Sequence, residues 1–360
     1  MDDASAPTLF GLVHTNRNFS TKNDWGKNVF NNAFPASILC YFQYKGIKPV
    51  YLKIEDGLVV RDYIDAKAVL GDDYKNLYFM FESFYPPYED FVTGHIPRTD
   101  LVTFHRNESD LPSEAVQDIE IKLTAVPDHV TSELEPALQG PEIVVRPDTV
   151  VYLAMSIITK YISKRDALLT ITKPISDKVN NWNSKSEIEP LLEDMILGLE
   201  TIMNSHADAQ QPILIQPIWR TVGKSLELTE DAFDIFVWSD FAFAKLFIDQ
   251  AKRNGVSSAR LTRFQRSVVW LFKMLHDYAE SGVVDHSSVI RNINFGSQTD
   301  KAFAANGRIT NSYLISDELM KPRIKKNELS KIILNGGHEM LSPERRFDAS
   351  VLSNISLFDN

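Results

Sequence analysis

The chain is 360 residues long, 44% hydrophobic and formally −10 at pH 7, with a single cysteine, Cys40. That length accommodates two domains, or one large domain with an insertion, around a sizeable core. One cysteine excludes a disulfide framework and a cysteine-based zinc site. The acidic balance lacks the basic surface that nucleic-acid-binding domains usually advertise, which leaves local patches for that role.

In chain order, "MDDASAPTLF" is acidic and has no apolar core of a secretory signal, and residues 1–27 read as polar loop. "FPASILCYFQYKG" reads as a helix, with Pro35 in its first turn and Gly46 past its end. Strand signals follow in "PVYLKIE", "LVVRDYI" and "LYFMFES". Two further strands come next. One starts at Asp100 with Leu-Val-Thr-Phe; in the other Ile119, Ile121 and Leu123 alternate with Glu120, Lys122 and Thr124, the period of a half-buried strand. "EIVVRPD" leads into an apolar helix over 149–163, capped by Asp148 or Thr149 and too interrupted by Lys160 to span a bilayer. "PILIQPIW", 212–219, returns as a strand.

From 228, "TEDAFDIFVWSDFAFAKLFIDQAKRNG" and "SSARLTRFQRSVVWLFKMLHDYAESG" read as two long helices, capped at Thr229 and at Ser257 or Ser258 and ended by Gly255 and Gly282. Leu261, Phe264, Val268, Leu271, Leu275 and Ala279 form a stripe that packs the second on the first. The expected fold is α/β, a mixed central sheet flanked by helices, with a helical and loop-rich C-terminal region. The expected division is 1–225 and 226–360, in a soluble cytoplasmic protein.

An acidic residue two before a lysine occurs at Asp65/Lys67, Asp73/Lys75 and Glu120/Lys122, and taken alone so common a pattern is a solvated face. Only the third lies in a strictly alternating strand, and only the third follows a Pro-x-x-Asp strand start, at Pro97 and Asp100. Antiparallel pairing of the two strands would bring Asp100 and Glu120 together on one face. Carboxylates about 4 Å apart repel by about 1 kcal/mol in water and several times that near a protein surface. Such a pair needs a shared proton or a cation, and Mg2+, a hard ion that takes one or two carboxylates, waters and a phosphate, suits it. The backbone carbonyl of Ile121 lies between the two side chains as a further ligand. Lys122 is placed to orient or help deprotonate an attacking water and to stabilise charge developing on phosphorus, which is what phosphodiester hydrolysis requires.

Pro97-Arg98-Thr99-Asp100 with Glu120-Ile121-Lys122 resembles the PD-(D/E)XK nuclease signature, with two residues between proline and aspartate. The words "NDWGKNVFNNAFPASILCY", "IPRTDLVT", "DIEIKLTAVPD", "EIVVRPDTVVYLA" and "LSPERRFDA", spread from about residue 8 to 350, are similar to the HindVP family of type II restriction endonucleases. The resemblance implies a PD-(D/E)XK core and a Mg2+-dependent enzyme that cuts both strands of DNA at a short palindrome, GRCGYC in the family. It also implies metal ligation by Asp100 and Glu120, catalysis by Lys122, and a two-fold homodimer to read the palindrome.

Glu82 is a candidate third carboxylate, or the polar end of its strand. Lys27 and Asn28, in "WGKN" before a helix, are candidate DNA phosphate contacts, or part of a simple loop. His105 and His129 read as surface residues without zinc-ligand spacing. Lys321, Arg323, Lys325, Lys326 and Lys331 against Glu328 give a net of +4 (five minus one), and 296–331 reads as a DNA-contacting segment. Arg260, Arg263 and Arg266 are phosphate candidates or solubilising helix residues. Two alternatives remain: a nuclease of the same superfamily that acts in repair or junction cleavage without a fixed sequence, and a non-catalytic DNA-binding module indifferent to Lys122. No Gly-rich phosphate loop and no Ser or Cys nucleophile motif is present, so neither a nucleotide cofactor nor a membrane is expected as partner.

Overall fold

The computed structural model describes residues 35–36, 38–39, 42–43, 46–71, 77–109, 111–122, 124–126, 142–222, 225–227, 235–253, 261–293, 303–306 and 312–314. The described residues between 35 and 43 are helical, and Gly46 follows at φ 67°. Asp56 and Gly57, both left-handed at φ 50° and 75°, close a tight hairpin between β1 (Val50–Glu55) and β2 (Leu58–Tyr63). Then come α1 (Ala66–Leu70), β3 (Leu77–Ser83), β4 (Val92–Thr93), β5 (Thr99–Arg106), β6 (Pro112–Ile121), β7 (Thr124–Val126) and β8 (Glu142–Val145). Helices α2 (Pro147–Thr159), α3 (Arg165–Ser176), α4 (Lys185–Ile188) and α5 (Leu192–Asn204) precede β9 (Pro212–Val222), β10 (Ser225–Glu227) and β11 (Ile235–Ser239). Helices α6 (Asp240–Arg253) and α7 (Arg263–Ser281), β12 (Val284–Asp285), α8 (His286–Ile293) and β13 (Phe303–Asn306) complete the order.

The central sheet is mixed, running β13-β8-β7-β9-β11-β1-β2, with helices packed against it, in accord with the expected α/β class. The long strand β9 is its trunk. Along one edge β9 takes β6 at Leu214 and Ile215 and then β7 at Ile218, Trp219 and Arg220, both parallel. Along the other it takes β11 and then β10, both antiparallel. Strand β6 in turn carries β5 and β3, each antiparallel to its neighbour.

The first of the two long helices expected after residue 228 is corrected. Ile235–Ser239 is a strand, wholly buried between β1 and β9, and only from Asp240 does the chain turn helical. A strand covered on both faces has no polar alternation, so its apolar run merges in sequence with the helix that follows. Ser239 marks the junction: its hydroxyl oxygen accepts from the Ala242 amide at 3.0 Å. The second helix, α7, packs against α2, α3, α5 and α6. It is capped by Thr262 rather than by the earlier serines: Thr262 Oγ1 accepts from Gln265 N at 3.2 Å, and Gln265 Oε1 accepts from Thr262 N at 2.9 Å. Gly282 ends it at φ 81°. Thr229, Gly255, Ser257 and Ser258 lie outside the described residues.

Helix α2 starts at Pro147, earlier than the apolar pattern indicates, and is buried on almost every side. Even so, a polar stripe at i, i+4 spacing runs down it: Asp148, Tyr152, Ser156 and, just past its end, Lys160. At the lower end, Ser156 Oγ donates to Asp240 Oδ2 at 3.0 Å and the Lys160 ammonium pairs with the same buried carboxylate. Asp240 Oδ1 accepts from Phe241 N at 2.9 Å and Gln211 N at 3.2 Å. Lys160→Met would leave this carboxylate buried without its cation, and an expected loss of about 3–5 kcal/mol is measurable by denaturant unfolding. Among the described residues no helix is long and apolar enough to cross a membrane.

Candidate active site

Strand β5 brings Leu101, Val102 and Phe104 to the ladder and β6 brings Val116, Ile119 and Ile121, and their register decides the site. Leu101 pairs with Ile119 in the antiparallel ladder, so Asp100 and Glu120 fall opposite one another one step further on. Asp100 Oδ2 accepts from the Ile121 amide at 2.7 Å. As β6 ends, Lys122 N donates to Ile215 O at 3.0 Å, which ties the last residue to β9. The Lys122 ammonium donates to Glu120 Oε1. Asp100, Glu120, Ile121 and Lys122 thus converge where β5, β6 and β9 meet.

The approach to Asp100 is clamped. β4 pairs parallel with β12, and Gly94, left-handed at φ 86°, follows it so closely that an added Cβ would lie 2.8 Å from Ser287 Oγ. The run "GHIPRTD" therefore enters β5 from a fixed point.

The polar face of β6 is not the half-exposed surface that its alternation suggests. Asp118 and Glu120 are each only 7% exposed. Tyr88 donates to Asp118 Oδ2 at 2.6 Å, and Tyr152 of α2, in ring contact with Tyr88, donates to Ile213 O at 3.5 Å. Burial nevertheless pushes the Asp118 carboxyl up to about 6. For Glu120, burial and the negative charge of Asp100 outweigh the positive charge of Lys122, and its carboxyl is pushed up to about 8. Lys122 responds in the opposite sense. Burial works against its charge, but the carboxylates of Glu120, Asp100 and Asp148 together hold its ammonium more firmly protonated than an ordinary lysine.

These directions describe a site short of positive charge, whose donors are all oxygen. That fits a hard divalent cation better than zinc. Among the described residues no three His, Cys, Asp or Glu side chains gather into a ready-made cage. A carboxylate pair is what a Mg2+ ion that keeps most of its waters requires.

Glu82 lies on β3 between the pairs Phe81–Leu101 and Ser83–Thr99, a register position beside Asp100. His105 is exposed on β5, and Arg263 and Arg266 sit in the first turn of α7. Lys27, Asn28, His129, Arg260, Lys321, Arg323, Lys325, Lys326 and Lys331 lie outside the described residues. Sequence reasoning misses Asp118, Tyr88 and Tyr152, and it reads Asp148 only as a cap. The available signal was the polar i, i+4 stripe in an otherwise apolar helix.

A family model described as HindVP restriction endonuclease matches residues 25–358. The chain is 40% identical over 360 residues to the type II restriction enzyme HgiDI of Herpetosiphon aurantiacus, covering 99% of each chain. It is 37% identical over 354 residues to the probable type II restriction enzyme HindVP of Haemophilus influenzae, covering 98% of this chain and 95% of the relative. No solved structure is significantly similar to it. With whole-length matches of this kind and a carboxylate pair brought together on its sheet, the chain belongs to the HindVP restriction endonuclease family and is a type II restriction endonuclease.

Proposed function

We propose that the enzyme hydrolyses both strands of DNA at a short palindrome, GRCGYC by family expectation, with Mg2+ and as a homodimer in the cytoplasm. Asp100, Glu120 and the Ile121 carbonyl would hold the metal, with Glu82 as a further carboxylate, and Lys122 would be the catalytic lysine. The single observation that supports this most is the Asp100–Glu120 pair, opposite one another in the ladder, with Glu120 buried and pushed toward its neutral form. Such a pair ionises fully only beside a cation. Type II restriction endonucleases generally require a divalent metal, and a bound Mg2+ would lower the pKa of an attacking water and neutralise phosphate charge.

The chain's own residues do the positioning. The Ile121 amide fixes Asp100, and the Lys122–Ile215 bond fixes the backbone that carries the lysine. A lysine held this firmly protonated is suited to orient the water and to stabilise negative charge on the phosphorane, rather than to remove a proton. The basic segment around Lys321, Arg323, Lys325 and Lys326, with Lys27 and Asn28, would supply DNA contacts, and the C-terminal region would serve recognition and dimerisation. Plasmid digestion with Mg2+, followed by sequencing of the ends, tests this. Discrete fragments that share GRCGYC, abolished by EDTA and restored by Mg2+, are expected. A smear without a common end, or cutting unaffected by EDTA, would refute the reading.

A further inference from the structure

Just outside the carboxylates, β3 and β5 end on a second pair of side chains. Ser83 pairs with Thr99 as the last rung of that ladder, so Phe84 and Arg98 leave it side by side. The Arg98 guanidinium lies over the Phe84 ring, 5.2 Å from its centroid. Both residues are exposed, whereas Thr99, between Arg98 and Asp100, is buried. With a period of two, Arg98 therefore falls on the same face as Asp100, about 6.6 Å away along the chain at 3.3 Å per residue. That step is comparable with the spacing of successive phosphates along one DNA strand.

The two side chains lean apart. Asp100 Oδ2 is engaged by the Ile121 amide on the β6 side, and Arg98 is held on the β3 side by Phe84. Among the described residues no carboxylate pairs with Arg98. A guanidinium kept over an aromatic face is always charged, has surrendered part of its rotamer freedom in advance and still offers N–H donors to a phosphate. The site needs such a charge, because its carboxylates repel the phosphodiester that must reach them and the chain as a whole is −10. We propose that Arg98, steadied by Phe84, binds the phosphate adjacent to the scissile one and so sets the DNA strand in register over Asp100 and Glu120. The strand then runs from β6 across β5 toward β3. Phe84 acts through Arg98 and is a positioning residue. This rests on the assignment of Asp100 and Glu120 made above.

The test uses the full-length enzyme and duplexes that carry the site recovered from the plasmid digest. In some of them a neutral methylphosphonate replaces the phosphate on one side or the other of the scissile one. Affinity is measured in Ca2+ and single-turnover cleavage in Mg2+. Arg98→Ala is expected to bind the unmodified duplex about 10-fold more weakly, the loss of one charge-assisted contact. Its slope of log affinity against log salt should be shallower by about one. At one flanking position the methylphosphonate should weaken the wild type by a similar factor and leave Arg98→Ala unchanged, because protein and DNA then lose the same contact. Phe84→Ala should lose about threefold in affinity and Phe84→Tyr recover it. In the Arg98→Ala background Phe84→Ala should cost nothing more. Wild-type affinity in Arg98→Ala, or equal methylphosphonate penalties in the two proteins at both positions, would overturn the inference alone. So would a wild-type enzyme indifferent to both neutral phosphates, a result that needs no variant to fold. Wild-type cleavage by Asp100→Ala would overturn the site assignment, and the inference with it.

Discussion

Lys122→Met is expected to reduce single-turnover DNA cleavage by about 10³-fold, a loss of about 4 kcal/mol in transition-state stabilisation. Methionine preserves most of the apolar stem, so packing beside β9 survives while the ammonium is lost. Removing one member of a buried ion pair ordinarily costs about 3–5 kcal/mol because a charge is stranded. Here the stranded group is Glu120, already pushed toward neutrality by burial and by Asp100. It takes up a proton instead, so the variant should unfold at nearly the wild-type denaturant midpoint at pH 6 and fall behind only as pH rises. A cleavage rate within tenfold of wild type, with Mg2+ saturating, would remove Lys122 from the chemistry.

Glu120→Gln should separate stability from activity. In the metal-free protein the Glu120 carboxyl rises from an ordinary 4.5 to about 8. The fold therefore binds this proton more tightly than the unfolded chain does. The stability so conferred is fully present below about pH 4.5 and is lost as pH climbs through about 8. The isosteric amide cannot ionise and escapes that loss. Metal-free Glu120→Gln should therefore melt close to wild type at pH 5 and a few degrees above it at pH 8.5, a difference of about 1–3 kcal/mol. Mg2+ should reverse the order, raising the melting temperature of the wild type more than that of the variant, because the variant lacks one carboxylate of the proposed metal-binding pair. Cleavage by the variant should be undetectable. Equal stability of the two proteins across this pH range would mean that Glu120 is not strained by its burial.

How much of this could be read beforehand depends on whether the cause is local. The alternation of Ile119, Ile121 and Leu123 with Glu120 and Lys122, and the Asp100 strand start, are local signals, and the two strands do pair, Leu101 against Ile119, which sets Asp100 across from Glu120. The Asp56-Gly57 hairpin and the Gly282 stop are equally local. The strand at Ile235–Ser239 is not, because the absence of alternation reflects neighbours on both faces that the chain supplies elsewhere. Helices α3 and α5 lie in a stretch where the pattern reading names no element. Pro174 inside α3 obscures it, although Leu192, Met195, Ile196, Leu199, Ile202 and Met203 recur at helical spacing in α5. In the site, the depth at which Glu120 sits and the approach of Asp148 depend on how α2 docks on β6, which no local pattern encodes.

The trunk position of β9 has a consequence for the enzyme's synthesis. The end of β6 that carries Glu120 and Ile121 is paired to Leu214 and Ile215, and Lys122 is tied to the Ile215 carbonyl. At roughly 5–20 residues per second, the ribosome needs about 5–20 s to reach β9 after it has made Lys122. During that interval the strand end that carries Glu120 and Lys122 lacks its neighbour. A nascent or prematurely terminated chain that stops short of β9 therefore carries Asp100, Glu120 and Lys122 without the strand to which Lys122 is tied.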